Sequence, residues 1–449
     1  MLSRLAPAWL KQPSAHHTVL AIALPIMVSN VSEPLIGLAD TWVIGRLPEP
    51  YFIGAIALGA LIFSFIFWGF GFLRMGTGGL AAQAEGAGDA EELRAVLGRA
   101  LLIALGAGLL LIALSPLIES AAFWLLRGSE EVEHHARIYF QIRVLSAPFA
   151  LANYALLGWF IGLADARTAL WLQLILNVSN IVLDVLLVLG LGMTSDGVAL
   201  GTLLASVIAC GAGLWIAQRE LNRRGGGWNL ARIIDRVQLK RMAVVNFDIM
   251  IRSVAVVFAF SIFTAKSAEV SDLVLAANTI LMNLLVFGTY VLDGFAHSAE
   301  ALVGQAVGAK DQARFRVYAW LSAKWALVTS AVFALITWLL GGIMIDALTV
   351  NLEIRETARL YLIWIVAAPV VGVACYQLDG IFIGATQTRD LRNMMLLAVI
   401  LYLPAWHYLV QYFGNHGLWA SLMLFLALRG LTLWIRMPAL LRERFPADT

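Results

Sequence analysis

Long apolar stretches separated by short polar breaks dominate this sequence. Most are at least as long as the roughly 20 residues that a helix needs to cross a bilayer, and runs of this length exclude the short alternating strands of a membrane barrel. The pattern predicts twelve transmembrane helices, near residues 18–45, 53–83, 96–126, 136–162, 168–192, 196–218, 243–265, 273–306, 315–342, 357–385, 391–413 and 417–437. We therefore expect an all-α polytopic membrane protein.

The composition supports this fold class. The 449 residues are 61% hydrophobic and 13% charged, and the mean hydropathy of +0.82 lies outside the range of soluble domains. A net charge of +2 gives no reason to expect a nucleic-acid partner. Cys210 and Cys375 both lie in apolar runs, where we expect small buried side chains and neither a disulfide nor a metal site.

The longest polar connection, residues 218–241, divides the chain into two halves. It contains seven Lys/Arg and a glycine run, and we interpret it as a hinge between an N-lobe (1–221) and a C-lobe (242–449), with residues 222–241 as a basic cytoplasmic linker. Positive charge concentrates on the side of this loop, so the positive-inside rule predicts that both termini are cytoplasmic. For a bacterial protein this places the chain in the inner membrane.

An internal repeat relates the two halves. At an offset of 222 residues, QAEGAGD (83–89) aligns with QAVGAKD (305–311), and GWFIG (158–162) aligns with GIFIG (380–384). We therefore predict two six-helix lobes related by a pseudo-twofold axis along the membrane normal, around a central cleft. The GxFIG stretches are expected to let neighbouring helices approach closely.

Carboxylates at membrane depth are candidate functional groups, because each costs about 2.5 to 3.5 kcal/mol or more to insert. On the first helix, Glu33 and Asp40 are two turns apart and share a face. Asp40 is the stronger candidate, since Glu33 could instead line a kink. Pro25, Pro34 and Gly37 weaken this helix and form a predicted hinge.

The fifth helix places Asn177, Asn180 and Asp184 on one face. Oxygen ligands in this arrangement suit a proton relay or a hard monovalent cation such as Na⁺. Hydrogen bonding between helices is the structural alternative. Thr202 on the sixth helix has a hydroxyl that could complete the set.

In the C-terminal half, Asp248 and Arg252 are one turn apart and could neutralise each other. His297 lies one turn after Asp293 and three residues before Glu300. It could relay protons or be a satisfied interior histidine.

Asp379 has no local basic partner and is a further candidate substrate or proton site. The excess of acids over bases at membrane depth favours a cationic substrate, a cationic coupling ion, or both.

Several segments together resemble the multidrug and toxic compound extrusion (MATE) transporters. The first-helix strings ALPIMVSN and GLADTWVIG, the fifth-helix string NVSNIVLDVLLVLGLG and the later GQAVGAKD match that family. The strings LRMGTGGLAAQA, DIMIRS, YVLDGFAHSAEA, LDGIFIGAT, GNHGLW and FLALRGLTL resemble its DinF (DNA-damage-inducible F) branch.

This resemblance implies an antiporter that exchanges small molecules for H⁺ or Na⁺ by alternating access. It implies that Asp40 is the protonation switch, in an N-lobe cation site with Asn180, Asp184 and Thr202. Acids on the seventh and tenth helices bind Na⁺ in some other branches, and Arg252 beside Asp248 argues against such a site here.

The function predicted from the sequence is proton-coupled export of lipophilic or cationic compounds by a monomer in the lipid bilayer. Na⁺ coupling at the N-lobe site and flipping of a lipid-linked precursor are the alternatives. No HExxH or GxSxG motif occurs in the sequence, so we expect no enzyme activity. We also expect no cofactor other than the coupling ion.

Overall fold

The chain folds into α-helices. The structure, a computed structural model, describes the backbone of residues 13–47 and 49–446, and the side chains of these residues except 13 and 33–41. Its helices are α1 (Pro13–Ile44), α2 (Pro50–Gly69), α3 (Phe72–Gly86), α4 (Ala90–Ala113), α5 (Ser115–Leu125), α6 (Glu130–Arg143), α7 (Ala147–Gly162), α8 (Ala166–Asp184), α9 (Ser195–Arg224), α10 (Leu230–Ile233), α11 (Arg236–Val270), α12 (Asp272–Gly308), α13 (Gln312–Leu348), α14 (Leu352–Gly384) and α15 (Thr388–Arg444). The described residues contain no β-strand.

Eleven helical stretches among the described residues are long and apolar enough to cross a membrane, compared with twelve predicted. The difference lies in α15, which has 57 residues and is far too long for one crossing of a hydrocarbon layer about 30 Å thick. Gly414 interrupts it with a non-helical backbone (φ 55°, ψ −130°), at the break predicted between residues 391–413 and 417–437. The prediction of an all-α polytopic membrane protein is confirmed.

Contacts divide the chain into two compact units. The N-unit is Val28–Asn246, and the C-unit is Met1–Met27 together with Phe247–Thr449. The early part of α1 belongs to the C-unit, where Ser298 Oγ of α12 donates to Val19 O at 3.3 Å and Trp325 Nε1 of α13 donates to His16 Nδ1 at 3.1 Å. These units are defined by contacts, whereas the predicted lobes follow the sequence repeat, so the lobe boundaries stay a prediction.

The same sharp corner occurs twice in each unit. Gly88, Ala164, Lys310 and Thr386 have positive φ angles of 69°, 60°, 55° and 51°. Each of these residues follows a helix C-terminus and donates its N–H to the carbonyl three positions earlier. The next residue donates its N–H to the carbonyl five positions earlier. This pair of hydrogen bonds is the Schellman arrangement. The first and third corners, like the second and fourth, are 222 positions apart. The sequence repeat is therefore a repeat of local structure.

Glycines allow very close helix packing within each unit, between α3 and α7 and between α12 and α14. A Cβ atom would collide with a backbone carbonyl of the facing helix at four positions: Gly158 with Arg74, Gly162 with Gly78, Gly380 with Ala296, and Gly384 with Glu300. These are the glycines of the two GxFIG stretches, so the predicted close approach is confirmed.

The polar connection after α9 is folded onto the N-unit. Arg94 of α4 is buried and donates from Nη2 to Leu221 O at 2.5 Å and to Gly225 O at 2.7 Å. Its positive charge lies at the C-terminal end of α9, where the helix dipole is negative and a cation is stabilising. Arg99 Nη1 donates to Arg232 O at 2.8 Å, and Ile233 packs on Gly98. The connection is thus a docked segment and not an extended tether.

An ion pair completes this docking. Arg232 Nη1 lies 3.0 Å from Asp89 Oδ1, and Asp89 also accepts from the Glu92 N–H at 2.9 Å. The hydrogen bond from Glu92 and the Arg232 guanidinium hold the pKa of Asp89 below its usual value, although desolvation opposes them. The carboxylate therefore stays ionised at the N-terminus of α4, where negative charge is favourable.

We predict that Gly162→Ala and Gly384→Ala each lower the free energy of unfolding by about 1–3 kcal/mol, because a backbone carbonyl cannot move aside as a side chain can. Thermal unfolding in detergent would measure this. Gly106→Ala in α4 is the matched control, since no atom lies within 4 Å of its added Cβ and alanine favours a helix by about 1 kcal/mol. Equal midpoints for all three variants would contradict the close packing.

Candidate functional site

The N-unit contains a buried polar cluster between α8 and α9. Asn180 Nδ2 donates to Asp184 Oδ2 at 3.1 Å and to Thr202 Oγ1 at 3.3 Å. Asp184 is 1% exposed. The structure thus brings together three of the four residues predicted for the cation or proton site, and the cluster presents carboxylate, amide and hydroxyl oxygens.

Local sequence explains why these groups meet. Asn180 and Asp184 are one turn apart on α8, so their side chains are neighbours. A Cβ at Gly201 would collide with Asp184 Oδ1, so the glycine beside Thr202 lets α9 approach the carboxylate. Thr202 donates its own hydroxyl to Val198 O at 3.0 Å, which orients a lone pair of its oxygen toward Asn180.

A π-helical segment, Val185–Gly190, begins directly after Asp184. Its wide turn is marked by the hydrogen bond from Leu191 N to Leu186 O at 3.0 Å. Single π turns are rare and are frequent at functional sites. Sequence periodicity does not predict this segment, because it does not distinguish one wide turn from a regular helix.

A chain of hydrogen bonds joins α8 to α1. Gln173 Nε2 donates to Asn177 Oδ1 at 3.1 Å, Asn177 Nδ2 donates to Ser32 Oγ at 3.2 Å, and Ser32 Oγ donates to Ser29 O at 2.6 Å. Asn177 therefore forms a hydrogen bond between two helices, which was the alternative to an ion or proton site that the sequence left open for this face. The chain reaches α1 at the residue directly before Glu33.

The critical part of α1 lies outside the described side chains. The backbone of residues 33–41 is helical, and the predicted functional positions Glu33, Pro34, Gly37 and Asp40 lie outside the described side chains. Pro25 is half-buried. The contact boundary between Met27 and Val28 falls between the two prolines, and the predicted hinge stays a prediction.

In the C-unit, Asp379 is held by two arginines. Its Oδ2 accepts from Arg252 and from Arg429 Nη2 at 2.7 Å. Arg429 is buried, and its guanidinium lies 5.8 Å from the Tyr376 ring. The local sequence shows no base near Asp379, because both partners are distant in the chain.

Asp248 pairs with Arg392 and not with Arg252, which corrects the predicted neutralisation within one helix. Arg392 Nη1 donates to Asp248 Oδ1 at 2.5 Å, and Thr388 Oγ1 donates to Asp248 Oδ2 at 3.0 Å. Side chains on α15 meet those on α11 here, so the helix spacing that suggested an Asp248–Arg252 pair gave the wrong partner.

His297 and Glu300 form a buried pair. His297 Nδ1 lies 3.0 Å from Glu300 Oε2, and both residues are at most 6% exposed. Asp293, one turn earlier on α12, is half-buried. The histidine is therefore an interior group with a carboxylate partner, a geometry that allows proton exchange between the two.

Sequence reasoning missed a second buried network in the C-unit. Asn278 and Asn415 exchange amide hydrogen bonds of 2.8 and 3.0 Å, Trp419 Nε1 donates to Asn278 at 2.9 Å, and Asn278 donates to Ser267 at 2.7 Å. The network joins α11, α12 and α15 just after the break at Gly414. Asn278 and Asn415 within apolar sequence were the available signal.

Comparison with known proteins gives consistent matches. A MatE family model matches residues 25–186 and 248–407. DNA damage-inducible protein F of Escherichia coli (strain K12) is 42% identical over 419 residues, which cover 92% of this chain and 90% of that protein. Multidrug export protein MepA of Staphylococcus aureus (strain NCTC 8325 / PS 47) is 23% identical over 440 residues, or 96% of this chain and 95% of that protein.

Solved structures share the fold. A crystal structure of MATE in the bent conformation has a TM-score of 0.85 at 20% identity and covers 97% of this chain and 98% of that chain. A transporter of the MOP superfamily from Pyrococcus furiosus, described as having a binding pocket of reverse polarity, has a TM-score of 0.84 at 18% identity, covering 95% and 96%. Because the family match spans both halves of the chain and a relative is 42% identical over most of its length, this protein belongs to the MatE family of membrane transporters.

Proposed function

We propose that this protein is a secondary multidrug efflux antiporter that exports lipophilic or cationic compounds in exchange for protons. The buried Asn180–Asp184–Thr202 cluster carries this proposal, since it places a carboxylate in the membrane interior among groups that a proton can rearrange. The similar Staphylococcus protein is named a multidrug export protein. Members of the family are transporters, in agreement with the prediction that the chain is not an enzyme.

The partners of the carboxylates distinguish the two units. Asp184 accepts from an amide, whereas Asp379 and Asp248 accept from guanidinium groups. An amide can give way to a proton or a metal ion, but an arginine stays charged at every physiological pH. We therefore assign coupling to the N-unit and charge neutralisation to Asp379 and Asp248.

Asp40 is proposed as the protonation switch that acts with Asp184. The Gln173–Asn177–Ser32 hydrogen bonds tie α8 to α1 about two turns before Asp40. When a proton neutralises Asp40, α1 would bend at Pro25, Pro34 and Gly37 and change the cleft. Glu33 would contact substrate near this bend.

The net charge that crosses the membrane in each exchange decides which gradients drive transport. One elementary charge crossing 100 mV corresponds to about 2.3 kcal/mol. Exchange of one proton for one monovalent cation moves no net charge, so only the pH difference drives it. A neutral or zwitterionic substrate would draw on the voltage as well.

Na⁺ is the second candidate coupling ion at the same site. The observation that favours it is the set of three hard oxygen donors, from Asn180, Asp184 and Thr202, since such donors suit hard cations. In the C-unit, the buried His297–Glu300 pair is the candidate for a secondary proton site, with Asp293 one turn away.

The proposed location is the bacterial inner membrane, with both termini in the cytoplasm and the chain acting as a monomer. The basic loops on one side support the orientation. The oxygen-rich N-unit site and the neutralised arginines of the C-unit support cationic or amphipathic substrates.

We predict that Asp40→Asn and Asp184→Asn each lower proton-driven ethidium export about tenfold or more, since losing about 1.4 kcal/mol of coupling already gives a factor of ten. Proteoliposomes with an imposed pH gradient would measure it. Glu269→Gln is the control, because Glu269 is exposed and forms an i,i+3 surface pair with Lys266. Full export by both aspartate variants would remove them from coupling, and acceleration of the wild type by a Na⁺ gradient at constant pH would favour Na⁺.

We predict that Gly201→Ala impairs export without removing any polar group, because its Cβ would displace the Asp184 carboxylate. The pH dependence of the export rate should shift relative to wild type. Gly211→Ala, on the same helix α9, has no atom within 4 Å of its added Cβ and should leave the profile unchanged. Identical profiles for both variants would contradict a role for the Asp184 position.

We predict that Asp379→Asn lowers stability by about 3–5 kcal/mol, because it leaves buried guanidinium groups without a counter-charge. The matched control is Asp346→Asn, whose carboxylate also faces two arginines but is 36% exposed, against 6% for Asp379. It should cost about 1 kcal/mol or less. Protein that remains folded should keep the wild-type pH optimum of export, and a shifted optimum would assign coupling to Asp379.

A further inference from the structure

The docked connection between α9 and α11 exposes an unusual set of apolar side chains. Trp228, Leu230, Ile234 and Val237 are 47%, 68%, 53% and 73% exposed, although they lie in the most polar part of the chain. The opposite side of this segment is fixed to the N-unit through Ile233. Docking therefore holds the four apolar side chains outward.

Positive charge surrounds these apolar groups. Arg219, Arg236 and Lys240 are exposed, and none of the three forms an ion pair within the described part of the chain. Of the nearby acids, Glu85 and Glu220 pair with Arg224 and Asp89 pairs with Arg232. The exposed Asp235 accepts from the Gln238 N–H at 2.8 Å. The surface thus has an excess of cations available to an external anion.

The position of the surface favours a membrane over a soluble partner. It lies between the ends of two membrane-spanning stretches, Ser195–Arg224 and Arg236–Val270. The exposed apolar row continues along α11 from Val237 to Val244, two turns later and 50% exposed. In the C-terminal half of α9, Trp215 is 65% exposed, and its ring centroid lies 5.8 Å from the Arg219 guanidinium. Tryptophan beside arginine is typical of the membrane–water interface.

We propose that residues 228–240 form an interfacial anchor for anionic phospholipids. The four apolar side chains enter the boundary between headgroups and acyl chains, and Arg219, Arg236 and Lys240 bind lipid phosphates. Because the segment is docked on the N-unit, lipid binding fixes the depth at which α9 and α11 leave the bilayer.

The test uses the full-length protein in nanodiscs, with a polarity-sensitive NBD fluorophore at Leu230→Cys. The native Cys210 and Cys375 are buried, so labelling is selective. Val350→Cys is the matched control, since Val350 is an apolar residue with 89% exposure in the loop between α13 and α14. In discs that contain phosphatidylglycerol, a headgroup-attached nitroxide should quench position 230, and aqueous iodide should quench position 350.

The charge requirement is tested by R236Q combined with K240Q. Each cation near an anionic surface contributes a factor of about five, so the pair should weaken association with phosphatidylglycerol about 25-fold and raise the anionic lipid content needed for half-maximal nitroxide quenching. I234S should reduce the apolar contribution while leaving the labelled position unchanged, and thermal unfolding confirms that each variant is folded. Equal iodide quenching at positions 230 and 350, or no response to the two cation substitutions, would overturn the proposal.

Discussion

Neutralising buried charge is the constraint on which this structure depends. A carboxylate in the membrane interior must have partners, because water is not available to solvate it. The chain meets this requirement in two ways. Asp184 is hydrogen-bonded to an amide beside a hydroxyl, whereas Asp379 is shared by two arginines. The first arrangement surrounds the carboxylate with neutral groups, and the second pairs it with fixed positive charge.

Close backbone packing makes the arrangement around Asp184 possible. Where a glycine lets two helices meet at van der Waals contact, polar groups on adjacent turns come within hydrogen-bonding distance. Gly201 does this for Asp184, and Gly384 lets α14 pack directly against the backbone of α12 at Glu300. The corners with positive φ that end α3, α7, α12 and α14 recur at the same offset in the two units, so the local framework is duplicated. The charged residues built on it are not.

That asymmetry connects framework and function. The N-unit has the amide-supported carboxylate, and the C-unit has the guanidinium-paired ones together with the His297–Glu300 pair. Similar local structure thus carries different polar networks in the two units, and the proposed function assigns coupling to the one in the N-unit. The docked connection between α9 and α11 adds an exposed surface of apolar and basic side chains to the N-unit.

The sequence by itself determined the fold class, the repeat, the close glycine contacts and the shared face of Asn180 and Asp184, whereas Thr202 was added to them by the family resemblance. These depend on short-range rules, since apolar length defines a membrane helix and spacing of three or four residues defines a face. Only the tertiary structure decided which charges are paired. Asp248 meets Arg392, and Asp379 meets Arg252 and Arg429, across separations that no helical period encodes. The π turn after Asp184 and the docked linker also required tertiary structure, because both follow from how neighbouring helices pack.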